Sequence, residues 1–231
     1  MRKRQIDHDA IAEVAKALKE LKNSMVFIGG AVLSLYSDDP KAGEVRPTTD
    51  IDLTIKMIKY GSWAMMEERL AELMIFPDPF GRAICSYKYE DISIDIMPSE
   101  ENPIGPLNPW YQKGFEDLLK IEVIGEEIQI FSAPVYLATK FEAFNGRGND
   151  YRMSHDFEDI IYVLDNRSTI VEEIARSDLD VKEFIQTQLV KIKDSRHQFE
   201  IIASHLDPYL VEERLPIILS RIGRIVEPEN D

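Results

Sequence analysis

The chain has 231 residues, 44% hydrophobic and 30% charged, the make-up of an ordinary globular protein with room for one large domain or two modest ones. Its 42 acidic and 27 basic side chains leave a formal net charge of −15. That argues against broad, nonspecific affinity for nucleic acid, which rests on neutralising phosphates with Lys and Arg, while leaving room for a local basic patch. A single cysteine, Cys85, excludes an internal disulfide, and no apolar run approaches the roughly 18–20 residues that span a bilayer. Met1-Arg2-Lys3-Arg4 resembles the basic start of a signal peptide, but charged amphipathic sequence follows it. The expected location is the cytoplasm, with no membrane partner.

Ile11, Val14, Leu18 and Leu21 recur at helical spacing and predict an amphipathic helix over residues 9–21. A strand over 25–28 then runs into Gly29-Gly30, and residues 31–36 read as a second helix. Glycines let backbone N–H groups approach a bulky anion, and a helix start adds partial positive charge. The loop over 37–49 holds Asp38, Asp39, Pro40, Gly43 and Pro47, all turn chemistry. Thr48 and Thr49 either bond nearby backbone or touch phosphate.

Next comes Asp50-Ile51-Asp52-Leu53, opening a strand expected to reach residue 58. Alternate strand residues share a face, so Asp50 and Asp52 point one way and Ile51 and Leu53 the other, into a core. Two neighbouring carboxylates repel and raise each other's pKa. A divalent cation removes that penalty, and hard oxygen donors suit Mg²⁺ that also holds substrate phosphates. The bland alternative is a tight turn followed by a solvated strand face.

A helix over 63–73 precedes two strands, 84–89 and 92–97, joined by a Glu90-Asp91 turn. In the second, Asp95 lies opposite Ile92, Ile94 and Ile96, repeating the arrangement of Asp50 and Asp52. If the strands are neighbours, three carboxylates converge. Pro98 ends that strand, residues 98–108 with Pro103, Gly105 and Pro106 read as a loop, and residues 110–119 as a short helix. A last hairpin, 121–124 and 128–131, flanks Gly125-Glu126-Glu127.

From Ser132-Ala133-Pro134 onward the pattern is helical, over residues 136–145, 154–164, 168–175, 181–205 and 208–222. Asp180 with Glu183 reads as a capping box, and Ile185, Leu189, Ile192, Phe199 and Ile202 as the apolar stripe of one long helix. The expected division is therefore a mixed αβ domain, 1–131, and a helical domain, 132–231, ending in a frayed tail at 227–231. An active-site cleft is expected between them. Lys140 and Arg147 lie two turns apart on one helix face, and Asp156 and Asp159 are three apart on the next. A basic residue there either neutralises a triphosphate and its departing pyrophosphate or belongs to a solvated charged face, and the aspartates could instead pair with Arg147 or Arg152 and fix the two halves together. The four histidines (His8, His155, His197, His205) show no metal-ligand spacing.

Gly29-Gly30, then Thr49-Asp50-Ile51-Asp52 and a later strand Asp95, resemble the polymerase-β-type nucleotidyltransferase superfamily. The resemblance implies an α+β fold: a core of mixed twisted sheet with flanking helices, followed by an α-helical domain. It further implies two Mg²⁺ ions held by Asp50, Asp52 and Asp95, with an NTP as nucleotidyl donor. Residues 138–143 (Ala-Thr-Lys-Phe-Glu-Ala), Arg147 to Arg152 and His155-Asp156 to Asp159-Ile160 resemble the AbiEii-like toxin nucleotidyltransferases. Members of that family act in toxin–antitoxin or phage-defence systems, and some modify the 3′ end of tRNA. Carried over, Gly29, Gly30, Ser34, Thr49, Lys140 and Arg147 would bind the nucleotide, and Asp50, Asp52, Asp95, Lys140 and Asp156 would be catalytic. Many of these toxins lack an obvious third carboxylate, so Asp95 is a departure. Expected partners are an NTP, RNA (a tRNA 3′ end) and a cognate antitoxin. The alternatives are nucleotidylation of a small molecule such as an aminoglycoside, or of a protein, or a non-catalytic nucleotide-binding regulator.

Overall fold

The structure, a computed structural model, describes residues 4–56, 62–81, 85–100, 108–147 and 150–228. The basic start at Met1-Arg2-Lys3, strand residues 57–58, Ile84, the Pro103–Pro106 stretch, Gly148-Asn149 and the last three residues of the expected tail lie outside them. The chain forms two compact units, one from Met1–Leu35 with Arg46–Ser132, the other from Tyr36–Val45 with Ala133–Asp231.

In the first unit α1 (His8–Leu18) starts where the Asp7 carboxylate accepts from the Ala10 N–H at 2.9 Å. Ala10, Ile11, Val14, Ala15 and Leu18 are fully buried along one stripe. The helix stops short of the expected residue 21: Lys19 takes a positive φ of 50°, and the chain tightens into a 3₁₀ turn, Lys19–Ser24, with no buried residue. β1 (Met25–Ile28) follows, then a seven-residue 3₁₀ helix, Gly30–Tyr36. β2 (Asp50–Ile55), α2 (Ser62–Glu72), β3 (Phe76–Pro77), β4 (Ser86–Tyr89) and β5 (Ile92–Pro98) come next. The unit closes with α3 (Trp110–Gly114), β6 (Leu118–Val123) and β7 (Glu126–Phe131).

The strands form one sheet of seven, ordered β3-β4-β5-β2-β1-β7-β6. β2 runs antiparallel to β1 and parallel to β5, and β1 runs parallel to β7. Phe27, Leu53 and Ile96 sit side by side across three strands and are fully buried, so one face of the sheet carries the core. Two short elements differ from expectation. α3 ends at Gly114 and not near 119, because Leu118 and Leu119 pair with Phe131 and Ile130 as strand residues. The β6–β7 turn is Ile124-Gly125, with φ of 49° and 81°, so Glu126 and Glu127 belong to β7; positive φ at both central residues suits a two-residue hairpin. β3 has two exposed residues, one of them proline, and carries no periodicity from which to read it.

The second unit is helical: α4 (Ala133–Arg147), a 3₁₀ turn at Tyr151–Met153, α5 (His155–Asn166), α6 (Ile170–Arg176), α7 (Leu179–Lys193), α8 (Gln198–Ala203) and α9 (Val211–Val226). Every residue of α4 from Ala133 to Phe141 is buried, the pattern of a helix enclosed on all sides. The single helix expected over 181–205 is two, α7 and α8, and the break leaves Phe199 60% exposed, off the stripe. The cap of α7 is Asp178, accepting from Asp180 N–H at 3.0 Å, in place of the Asp180–Glu183 box. Tyr36–Val45 belongs with these helices: Asp38 and Asp39 donate their N–H groups to the Asn166 carbonyl, and Arg214 meets the Asp39 carboxylate at 2.7 Å.

Candidate active site

β2, flanked by β5 and β1, holds its aspartates near the centre of the sheet. The register of β1 with β2 sets Ile28 opposite Asp52, so the chain leaves β1 directly beside that carboxylate. The next residue, Gly29, has φ +74°, and a Cβ there would lie 2.0 Å from Asp52 Oδ2. Glycine is needed twice over, for the left-handed backbone and for the space the carboxylate occupies.

Parallel pairing of β2 with β5 places Asp95 directly across from Asp52, and Ser93 across from Asp50. Neighbouring strands run roughly 4.8 Å apart, so Asp52 and Asp95 stand side by side on one face, both half-buried. Cys85 registers both: burial pushes its thiol up, and the carboxylates of Asp95 and, more weakly, Asp52 push it further. Asp50, one row along, accepts a hydrogen bond from the Thr48 hydroxyl at 2.8 Å. Thr49 is exposed, and the Ser34 hydroxyl lies 2.9 Å from His8 Nε2.

One residue of this neighbourhood escaped the sequence reading. Arg46 Nη2 would be 3.7 Å from a Cβ on Gly30, and Thr48 Cβ 3.9 Å, so both side chains flank that backbone. The only signal for it in sequence was an arginine two residues ahead of Thr48.

The oxygen-only chemistry of Asp52 and Asp95 fits a hard cation, and the glycine beside Asp52 leaves room for that carboxylate. Among the described residues no group of three or more His, Cys, Asp or Glu side chains is arranged to hold a metal ion. As the side chains stand, strand pairing thus joins two of the three expected carboxylates, and Asp50 is held by Thr48.

In the helical unit α4 and α5 bring Lys140, Arg147, Asp156 and Asp159 together. The Lys140 ammonium lies 2.5 Å from Asp159 Oδ2 and 3.6 Å from Asp156 Oδ1, and Arg147 Nη1 is 2.5 Å from Asp156 Oδ2. Two cations thereby match two anions, with Lys140, Asp156 and Asp159 buried and Arg147 64% exposed at its side chain. These aspartates find their cations on α4, within their own unit. Arg152 instead pairs with Asp150 at 2.8 Å and holds that carboxyl down at about 2. A second buried cluster joins Arg214 to Asp165 at 2.8 Å and to the Asn166 side chain at 3.0 Å.

No protein-family model matches the chain, and no curated protein sequence does. Among solved structures it is similar to an antigenic nucleotidyltransferase-like protein from Paracoccidioides brasiliensis, with a TM-score of 0.54 and 15% identity over 90% of this chain and 99% of that one. At that identity the likeness concerns the fold: an α+β nucleotidyltransferase-type core, with its mixed sheet and flanking helices, followed by helices. Among the described residues no helix is long and apolar enough to cross a membrane.

Proposed function

We propose that the protein is a magnesium-dependent nucleotidyltransferase that moves a nucleoside monophosphate from an NTP to an acceptor. The observation carrying this reading is the register of Asp52 with Asp95, two carboxylates abreast on parallel strands, beside a glycine whose missing Cβ makes room for one of them. The nucleotidyltransferase-type fold supports it. Asp52 and Asp95 would hold the cation, with Asp50 completing the set on release from Thr48. Bound magnesium, two ions in the superfamily the sequence resembles, supplies polarisation of the acceptor and neutralises the departing pyrophosphate. Asp95 would take the acceptor's proton, and the Gly29-Gly30 backbone would approach the phosphates. Lys140 is the proposed phosphate cation of the helical unit, its ammonium oriented by Asp156 and Asp159, with Arg147 beside it.

The proposed acceptor is RNA, a tRNA 3′ end, with the protein as toxin of an AbiEii-like toxin–antitoxin or phage-defence pair. The charged blocks on α4 and α5 motivate this. The net charge of −15 favours the competing acceptor, a cationic small molecule of the aminoglycoside kind. One assay separates them: each labelled NTP with Mg²⁺, total cellular RNA and an aminoglycoside, run beside Asp52→Asn. Label in tRNA from the wild type alone supports the proposal; label in the drug or in protein replaces the acceptor; no label anywhere removes the enzyme reading.

A further inference from the structure

A net charge of −15 makes an acidic surface the default for this chain, and one groove of the first unit departs from it. The groove has a volume of about 1100 Å³. Lys16 and Lys19 line it from the end of α1, Lys88 and Tyr89 from β4, and Met74 and Phe76 from the stretch that joins α2 to β3. Eight charged residues belong to its lining, and half of them are already engaged. Arg4 pairs with Glu13 at 2.8 Å, Glu72 with Arg69 at 2.6 Å, and the Asp78 carboxylate accepts from the Phe80 N–H at 2.9 Å. The other four are exposed, Lys16, Lys19 and Lys88 against Glu90, and their side chains make no ion pair or hydrogen bond with a described residue. Apolar surface stands open beside these lysines: Met74 is 65% exposed and Phe76 46%.

The volume exceeds the roughly 300–1,000 Å³ of a small-molecule pocket and suits a stretch of polypeptide. β3 is the last strand of the sheet, but it has two residues, and Pro77 has no N–H to donate. Strand addition therefore finds little backbone to pair with, and recognition falls to side chains. Carboxylates answer the three lysines, and apolar anchors answer Met74 and Phe76. The carboxylates of Glu13, Glu72, Asp78 and Glu90 in the same lining oppose a nucleic-acid backbone, whose negative charge is unbroken. A peptide places its carboxylates one by one, so it can meet the lysines and avoid those acids.

We infer that this groove is a docking site for an acidic segment of a partner protein, anchored by apolar side chains. The inference goes beyond nucleotidyl transfer and uses none of the residues assigned to the aspartate site. The test is fluorescence anisotropy with labelled probes of equal length: a peptide of Glu, Leu and Phe, one of Lys, Leu and Phe, one of Glu and Ser, and a single-stranded RNA. Wild type should bind the first at least about 10-fold more tightly than the other three. Lys16→Glu with Lys88→Glu should weaken that binding about 10-fold or more and strengthen binding of the Lys-containing peptide, because like charges then face each other. Phe76→Ser should weaken the first peptide and leave the Glu-Ser peptide unchanged. If the charge-reversed protein does not fold, Lys16→Gln with Lys88→Gln decides. Undiminished binding of the first peptide by the folded lysine variant overturns the inference, as does wild type that binds no peptide or prefers RNA. Sedimentation of the wild type as a dimer that the lysine variant cannot form gives the groove to a second copy of the chain and overturns it too.

Discussion

Acidic side chains are treated in opposite ways in the two units. On the sheet Asp52 and Asp95 are set abreast, like charge beside like charge, against a glycine and a buried thiol. Among the helices Asp156, Asp159 and Asp165 are buried more deeply, and each meets a cation: Arg147, Lys140 and Arg214 respectively. A carboxylate that meets its cation on folding has its electrostatics settled by the chain itself. Carboxylates abreast repel each other, and together they offer the oxygen-only donors that a hard cation prefers. The first arrangement is complete within the folded helical unit; the second is where the proposed magnesium would act.

Removing a cation from the settled cluster tests the contrast most severely. Lys140→Met should cost about 3–5 kcal/mol by urea denaturation, because Asp159, fully buried, is left with an uncompensated charge. Lys140→Met with Asp159→Leu should recover most of that loss, and failure to recover would show that packing, not charge, governs the site. Asp52→Asn is the converse: it should lower transfer by about 10³-fold while the melting temperature falls less than in Lys140→Met, since Asp52 is only half-buried. A large fall in stability would place Asp52 with the architectural acids.

Gly29→Ala should cost about 2–4 kcal/mol, combining a left-handed backbone with overlap on Asp52. Double substitution with Asp52→Gly should leave only the backbone share, a sharper measure of how closely the carboxylate is seated. A smaller effect concerns His205. Burial pulls its imidazole below the ordinary value, although its Nε2–H donates to the Tyr151 carbonyl at 2.8 Å and the Glu158 and Asp159 carboxylates favour the charged ring. Below about pH 6.5 the unfolded chain takes up a proton that the folded one refuses, so stability should fall as pH falls toward the depressed folded value. The slope is at most about 1.4 kcal/mol per pH unit, and urea midpoints across that window should flatten in His205→Gln. Least of all should matter the exposed Lys120–Glu127 pair on the β6–β7 hairpin: Lys120→Ala should stay within about 0.5 kcal/mol.

Much of this site could be read along the chain. The alternation from Asp50 to Leu53 and from Ile92 to Met97 states which face each aspartate takes, because a strand's side chains have period two. The Gly-Gly that ends an apolar run announces special backbone, and Gly29 at φ +74° has it. Helix breaks were harder: nothing in the repeat of Ile185, Leu189, Ile192, Phe199 and Ile202 marks a stop, yet the chain breaks between Lys193 and Gln198. Local periodicity survives an interruption that tertiary packing imposes.

What the sequence determined by itself was therefore one-dimensional: a mixed half before a helical half, the faces of the strands, and a glycine pair ahead of two aspartates. Those follow from interactions between near neighbours, whose geometry the backbone periods dictate. Only the tertiary structure decided that β5 lies against β2 in parallel register, so that Asp95 meets Asp52 and not Asp50. It alone returned Arg46 to Gly30, gave Tyr36–Val45 to the helices, and closed two aspartates of α5 around Lys140. Pairing partners and register are set by which distant surfaces bury together, and a period of two or 3.6 says which face is apolar without saying what will cover it.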